Sequence, residues 1–212
     1  MRNMKSVAII DYGIGNLMSV RRAFEHVGCG IKLVTTGREV QNADYLVLPG
    51  VGAFGDAVLE LNRRDLIEPI KAYCRQNRPF LGICLGMQLM LDASGESEHV
   101  KGLGLIEGNV EKLAPCTEGN IKYKVPNIGW YRLKIQKSQT EILDGITDTD
   151  QFYFVHSYGA HPLRQDASVA GLQYGNNFFS VIVQKGNCYG TQFHPEKSGK
   201  TGLKLIHNFV SL

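Results

Sequence analysis

The sequence predicts an α/β fold: an open, mostly parallel central sheet with helices on both faces, and an antiparallel extension in the C-terminal half. Three observations carry this expectation. In the first half, short runs that are apolar throughout alternate with segments whose apolar residues recur at helical spacing, the pattern of buried parallel strands joined by covering helices. After Leu103 the rhythm changes to closely spaced strand-like runs divided by Gly, Asn and Pro turns, which suits antiparallel pairing. The 212 residues, 43% hydrophobic and 20% charged, supply enough apolar material for a real core and argue against a disordered or disulfide-stapled chain.

Taken in order, Ser6–Ile10 is a wholly apolar strand ending in Asp-Tyr-Gly. Asn16–Val27 carries Leu17, Val20, Phe24 and Val27 on one stripe, and Gly28 ends that helix. Ile31–Val34 and Asp44–Leu48 are the next strands. Leu59–Gln76 is expected to be helical around Leu66, Ile70 and Tyr73, with Pro69 marking a kink or a fresh start. Pro79–Cys84 is a further apolar strand that runs into a helix over Leu85–Leu91. Beyond it, Gly108–Lys112, Tyr131–Ile135, Gln151–Val155, Phe178–Val183 and Cys188–Phe193 are expected as strands, and Lys200–Val210 as a closing helix. No linker, repeat or low-complexity tract interrupts the chain, so residues 1–212 are expected to form one domain.

Composition narrows the function. A formal charge of +3, scattered along the chain, makes no case for nucleic acid or an anionic membrane. The most apolar stretch, Phe80–Leu91, is too short to span a bilayer, and the apolar run of the N-terminal MRNMKSVAIID stops at Asp11 before it can form a signal core. Five cysteines without a C-x-x-C pair imply a reduced, cytoplasmic chain and no disulfide framework. No ligand spacing suggests a metal site.

Two segments carry chemistry. Gly82-Ile-Cys84-Leu-Gly86 joins an apolar strand to a helix, the pattern of a nucleophile elbow with cysteine as the nucleophile. Its glycines permit the sharp turn, the following helix N-terminus favours a thiolate, and the Leu85 N–H points where an oxyanion would form. A buried structural cysteine is the plainer alternative. In His194-Pro-Glu196, residues two apart on a strand share a face, which would let a carboxylate orient an imidazole base; a surface His beside a solvated Glu is the alternative. Spacing alone does not join Cys84 to His194, but the strand ends of a parallel sheet converge on one crevice.

Leu48-Pro-Gly50-Val51-Gly52-Ala-Phe-Gly55 contains a literal G-x-G-x-x-G. It does not follow the first strand, and no acidic residue ends a later strand at the distance ribose binding needs. A backbone donor for an oxyanion suits this loop better. Phe152–Tyr158 and Trp130 have ordinary readings as core or surface residues.

Together DYGIGN, LPGVGAFG, GICLGMQLM, GLGLIEGNV, FVHSY and GTQFHPEKSG resemble, in order and over nearly the whole chain, the class I (triad-type) glutamine amidotransferase domains. Within them the resemblance is greatest to the glutaminase subunit of imidazole glycerol phosphate synthase. It implies Cys84 as nucleophile, His194 as acid/base and Glu196 as its orienter. It implies an oxyanion hole from Gly50, Val51, Gly52 and Leu85, completed by a peptide flip at Val51, and glutamine binding by Gln88, His156, Ser157 and Tyr158. Asn16, Asn127, Trp130 and Lys197 match positions facing a synthase subunit.

The implied activity is hydrolysis of L-glutamine to glutamate and ammonia without a cofactor. The implied partner is a (β/α)₈ barrel cyclase in a heterodimer, which receives the ammonia to make imidazole glycerol phosphate and aminoimidazole carboxamide ribotide in histidine biosynthesis. One departure stands out: the family usually reads Pro-His-x-Gly-Trp-Asn, where this chain has Pro126-Asn127-Ile-Gly-Trp130-Tyr131. It leaves open a paralogous role supplying ammonia to a sugar amidotransferase of surface-polysaccharide synthesis. A stand-alone cysteine hydrolase would need the elbow but neither FHPE nor FVHSY.

Overall fold

The computed structural model describes residues 5–212. Strand β1 (Ser6–Ile10), helix α1 (Leu17–His26), β2 (Gly30–Val34), α2 (Gly37–Gln41) and β3 (Tyr45–Gly50) open the chain. Helices α3 (Phe54–Arg63) and α4 (Ile67–Arg75), β4 (Phe80–Cys84) and the short α5 (Leu85–Gln88) follow. Then come β5 (Ala93–Ser94), β6 (Gly108–Lys112), β7 (Cys116–Glu118), β8 (Ile121–Tyr123), β9 (Asn127–Arg132) and β10 (Lys134–Ile135). The last part holds β11 (Gln151–His156), β12 (Tyr158–Pro162), β13 (Ser168–Tyr174), β14 (Asn177–Lys185), β15 (Cys188–Thr191) and α6 (Gly199–Phe209).

Strands β2, β1, β3, β4 and β15 lie side by side and run parallel. From β15 the sheet continues antiparallel through β14, β12 and β6, with β13 pairing along β14. The expected parallel core with an antiparallel extension is therefore what forms. A side layer forms too: β9 and β11 make a separate antiparallel ribbon. The alternation of side chains along each strand divides the core between two faces. Val7, Ile9, Val47 and Ile83 face α1 and α6 through Phe24 and Phe209, whereas Ala8, Ile10, Leu46 and Leu48 face α3 and α4 through Leu61, Ile70 and Tyr73. Among the described residues, no helix is long and apolar enough to cross a membrane.

Where the structure departs from the sequence pattern, a distant group explains several of the differences. The helix expected over 59–76 is two helices, broken at Asp65, whose φ is +53°. Pro69 sits in the first turn of α4, where its missing N–H has no partner to lose. The first of these helices starts earlier than expected, at Phe54, because Glu96 and Ser97 accept its first N–H groups at 2.7 and 3.1 Å. The strand expected over 131–135 is instead the end of β9 and the whole of β10. The helix after Cys84 stops at Gln88, and β15 ends at Thr191. Helix α2, the β7–β8 hairpin, β12 and β13 had no separate expectation.

Candidate active site

Cys84 ends β4 in a conformation few side chains tolerate, with φ +55° and ψ −108°. Such a residue costs about 1–3 kcal/mol and persists only where its surroundings over-determine it. The two flanking glycines do that. A Cβ at Gly82 would lie 2.6 Å from the Gly86 carbonyl oxygen, and one at Gly86 would lie 1.8 Å from the Leu48 carbonyl oxygen. Helix α5 therefore packs directly on β3 and β4, and the thiol is turned to the edge where the parallel strands end.

Parallel pairing then brings the histidine to the cysteine. Thr191 of β15 is in register with Ile83 of β4, so the residues after Thr191 continue beside Cys84. Gln192 comes first, its Nε2 3.8 Å from the Cys84 Sγ. His194 follows, its N–H donating to the Tyr153 carbonyl at 3.0 Å. His194 pairs with Glu196 as the sequence suggests, but not by sharing the face of a strand. The two stand on a single 3₁₀ turn at Pro195–Lys197, where the turn folds the carboxylate back to the ring. Nδ1 lies 2.8 Å from Glu196 Oε1, with both side chains almost wholly buried. Ser198 holds the turn by donating to the His194 carbonyl at 2.7 Å while accepting from the Tyr153 N–H at 3.0 Å.

Among the described residues, His194 Nε2 and Glu196 Oε2 have no hydrogen-bond partner. Burial disfavours a charged ring, but the Cys84 sulfur and the Glu196 carboxylate more than offset it and raise the His194 pKa to about 10. The influence of Cys84 is that of a sulfur lying close to the ring. That of Glu196 is a formed bond.

A cleft of about 320 Å³ opens over this pair. Val51, Gly52, Cys84, Leu85, Gln88, His156, Ser157, Tyr158 and His194 all line it. Gly50 and Glu196 are not in its lining, and Gly50 is in register with Cys84 at the end of the β3–β4 ladder. The Gln88 Nε2 donates to the Tyr158 carbonyl at 3.2 Å and to Gln192 Oε1 at 3.0 Å, which fixes its amide. His156 Nδ1–H donates to the Tyr158 carbonyl at 2.8 Å, and its Nε2 faces Asn127 Nδ2 at 3.0 Å. Burial, opposed by the bond to Tyr158 and aided by the His194 charge, lowers the His156 pKa to about 4. His156 is therefore a neutral bracing ring, and the proton-transfer chemistry available to the cleft rests with His194.

Of the residues matched to a partner-facing surface, Asn16, Trp130 and Lys197 are at the surface. Asn16 caps α1 by accepting from the Ser19 N–H at 3.3 Å, and Trp130 packs edgewise on Tyr153 with ring centroids 5.8 Å apart. Asn127 is not on that surface. It is fully buried behind His156, because β9 pairs with β11 through Asn127 and His156 and turns the amide inward. Gln192 and Glu96 in the cleft region escaped sequence reasoning. Gln192 lies inside a motif whose other members drew attention. Glu96 lines the cleft from a loop with no pattern of its own, held by the Phe54 N–H.

A thiol beside a buried His–Glu pair, in a cleft of amino-acid size lined also by the elbow residue Leu85, can attack and hydrolyse an amide. Comparison with known proteins gives the same direction. The family model of glutamine amidotransferase class-I matches residues 8–212. The chain is 44% identical over 214 residues to imidazole glycerol phosphate synthase subunit HisH 1 of Legionella pneumophila (strain Lens), covering 99% of this chain and 100% of that one. It is 45% identical to subunit HisH of Caldanaerobacter subterraneus, covering 96% of each. It is also 44% identical to the chloroplastic synthase hisHF of Arabidopsis thaliana, covering 96% of this chain and 34% of that protein. The solved structure of PurLQS from Thermotoga maritima has a TM-score of 0.75 at 16% identity, with 98% of both chains covered, a likeness of fold alone. With that family model spanning nearly all of it and full-length relatives at these identities, the chain belongs to the class I glutamine amidotransferase family.

Proposed function

We propose that the chain is the glutaminase subunit of an imidazole glycerol phosphate synthase, hydrolysing L-glutamine and passing the ammonia to a cyclase in histidine biosynthesis. The observation that carries this reading is the meeting of Cys84, His194 and Glu196 at one cleft, in a chain whose near full-length relatives carry that synthase's name.

The Cys84 sulfur attacks the side-chain amide carbon, and the Leu85 N–H with the Gly50–Gly52 loop receives the negative oxygen. Protonated His194 gives its proton to the leaving nitrogen, which departs as ammonia and leaves a thioester. The ring, now neutral, takes a proton from water as the water attacks. Glutamate leaves, the Cys84 sulfur is freed beside the re-protonated ring, and Glu196 steadies the ring throughout. Gln88 and the backbone at His156, Ser157 and Tyr158 receive the glutamine head group, and the Glu96 carboxylate is suited to its ammonium. No cofactor takes part in this scheme.

Ammonia is useful to a second reaction only while unprotonated, which calls for a partner docked over the cleft. A (β/α)₈ barrel cyclase in a heterodimer fits this role, with Asn16, Trp130 and Lys197 on the docking face. The exposed Val51, Ile128 and Trp130 are in keeping with such a face. All of residues 1–212 would act as one domain, in the cytoplasm, where the five free thiols stay reduced. Asn127, buried away from that face, gives no support to a different acceptor such as a sugar amidotransferase.

The test is glutamate release by the chain alone, with the cyclase, and with cyclase plus an acceptor analogue. The expected result is slow turnover alone and strong stimulation by both together. Full activity alone would favour an independent hydrolase, and stimulation only by a sugar amidotransferase would change the pathway.

A further inference from the structure

We propose that the hydroxyl of Tyr12 positions the oxyanion loop, donating to the Gly50 carbonyl when the Gly50–Val51 peptide turns its N–H toward the substrate. The inference rests on the glutaminase reading above and adds a residue to it.

Tyr12 follows β1 and is fully buried. Its hydroxyl has no hydrogen-bond partner among the described residues. An unpaired buried hydroxyl is destabilising, and phenylalanine would fill the same space without that penalty. The oxygen stands 2.6 Å from where a Cβ would be on Gly50, so it abuts the backbone of the loop itself. Burial pushes the phenol pKa well up, and the nearby Cys84 acts in the same sense. Tyr12 is therefore a neutral O–H donor, close to both the nucleophile and the loop.

The loop has one place where such a donor is useful. Gly50 is held in register with Cys84, whereas Val51 is 40% exposed and Gly52 has φ +95°. The chain passes there from a clamped strand to a segment in which one peptide can turn, since glycine accepts either sign of φ. The C=O and N–H of a peptide point in opposite directions. Turning the Val51 N–H into the cleft thus carries the Gly50 carbonyl away from it. Buried against Gly50 and absent from the cleft lining, Tyr12 offers the free donor. A carbonyl so received would not be orphaned by the turn.

The test compares wild type and Tyr12→Phe, each with the cyclase and a saturating acceptor analogue. The expected result is a roughly tenfold lower kcat for glutamine hydrolysis, with KM within about twofold, the size of one missing hydrogen bond made only in the reactive state. The thermal midpoint of the variant should be unchanged or higher. Alkylation of Cys84 by iodoacetamide, which needs the thiol but no oxyanion donor, should proceed at the wild-type rate. An unchanged kcat would overturn the proposal. So would a lower midpoint or a matching loss of alkylation, which would place the role of Tyr12 in packing or in the thiol. A wild-type complex that releases no glutamate would instead overturn the glutaminase reading itself.

Discussion

His194 Nδ1 lies 2.8 Å from Glu196 Oε1 on one turn of 3₁₀ helix, with the ring 3% and the carboxylate 1% exposed. A bond so sealed keeps the ring in a single orientation and leaves Nε2 without a partner among the described residues. His194→Asn removes the group placed to move protons in both half-reactions, whereas Glu196→Gln keeps the ring and weakens its orienter. Glutamate release at saturating glutamine with the partner present should fall by about 10³-fold or more for the first and clearly less for the second. Equal small effects would contradict these roles.

Cys84→Ala should abolish hydrolysis and leave the far-ultraviolet circular dichroism unchanged. Cys84→Gly should do the same and in addition raise the unfolding free energy by about 1 kcal/mol, because glycine has no Cβ to strain at φ +55°. Urea titration of the two variants measures the difference. If the alanine form is as stable as the glycine form, the elbow is not strained.

Gly86→Ala should be far more damaging to folding than its size suggests. The added Cβ would sit 1.8 Å from the Leu48 carbonyl oxygen, a backbone atom that cannot swing aside without parting β3 from α5. A loss of about 3 kcal/mol or more, or failure to obtain soluble protein, is the expected outcome. A thermal midpoint close to wild type would show that the helix can lift off the sheet.

Stability should fall as the solution is acidified from about pH 6.5 to about pH 4. Burial lowers the pKa of His156 to about 4. Across that window the unfolded chain therefore binds a proton that the folded chain refuses. The stabilisation is fully present above the unfolded value near 6.5 and disappears as pH drops through 4, at most about 3 kcal/mol in all. Urea midpoints measured from pH 7 to pH 4 should show a steeper acid limb for wild type than for His156→Gln. Parallel curves would mean that the ring takes up its proton as readily in the folded chain.

Much of this protein is legible within a few residues of any given position. The strands of the parallel half announce themselves because a strand buried on both faces must be apolar throughout, and α1 and α6 because a helix on a sheet needs one apolar stripe. The elbow at Cys84 is legible for the same reason, since a reversal this sharp requires Gly82 and Gly86 at fixed positions. Other features are decided by partners far away along the chain. Helix α3 begins where Glu96 and Ser97 can receive its N–H groups, not where its own apolar spacing starts. Asn127 turns inward because β9 lies against β11. Cys84 and His194, separated by about half the chain, meet because β15 inserts beside β4 in a register that only the finished sheet defines. Backbone sterics and side-chain periodicity act between near neighbours and so are written locally, whereas burial, register and capping by distant groups exist only once the chain has folded.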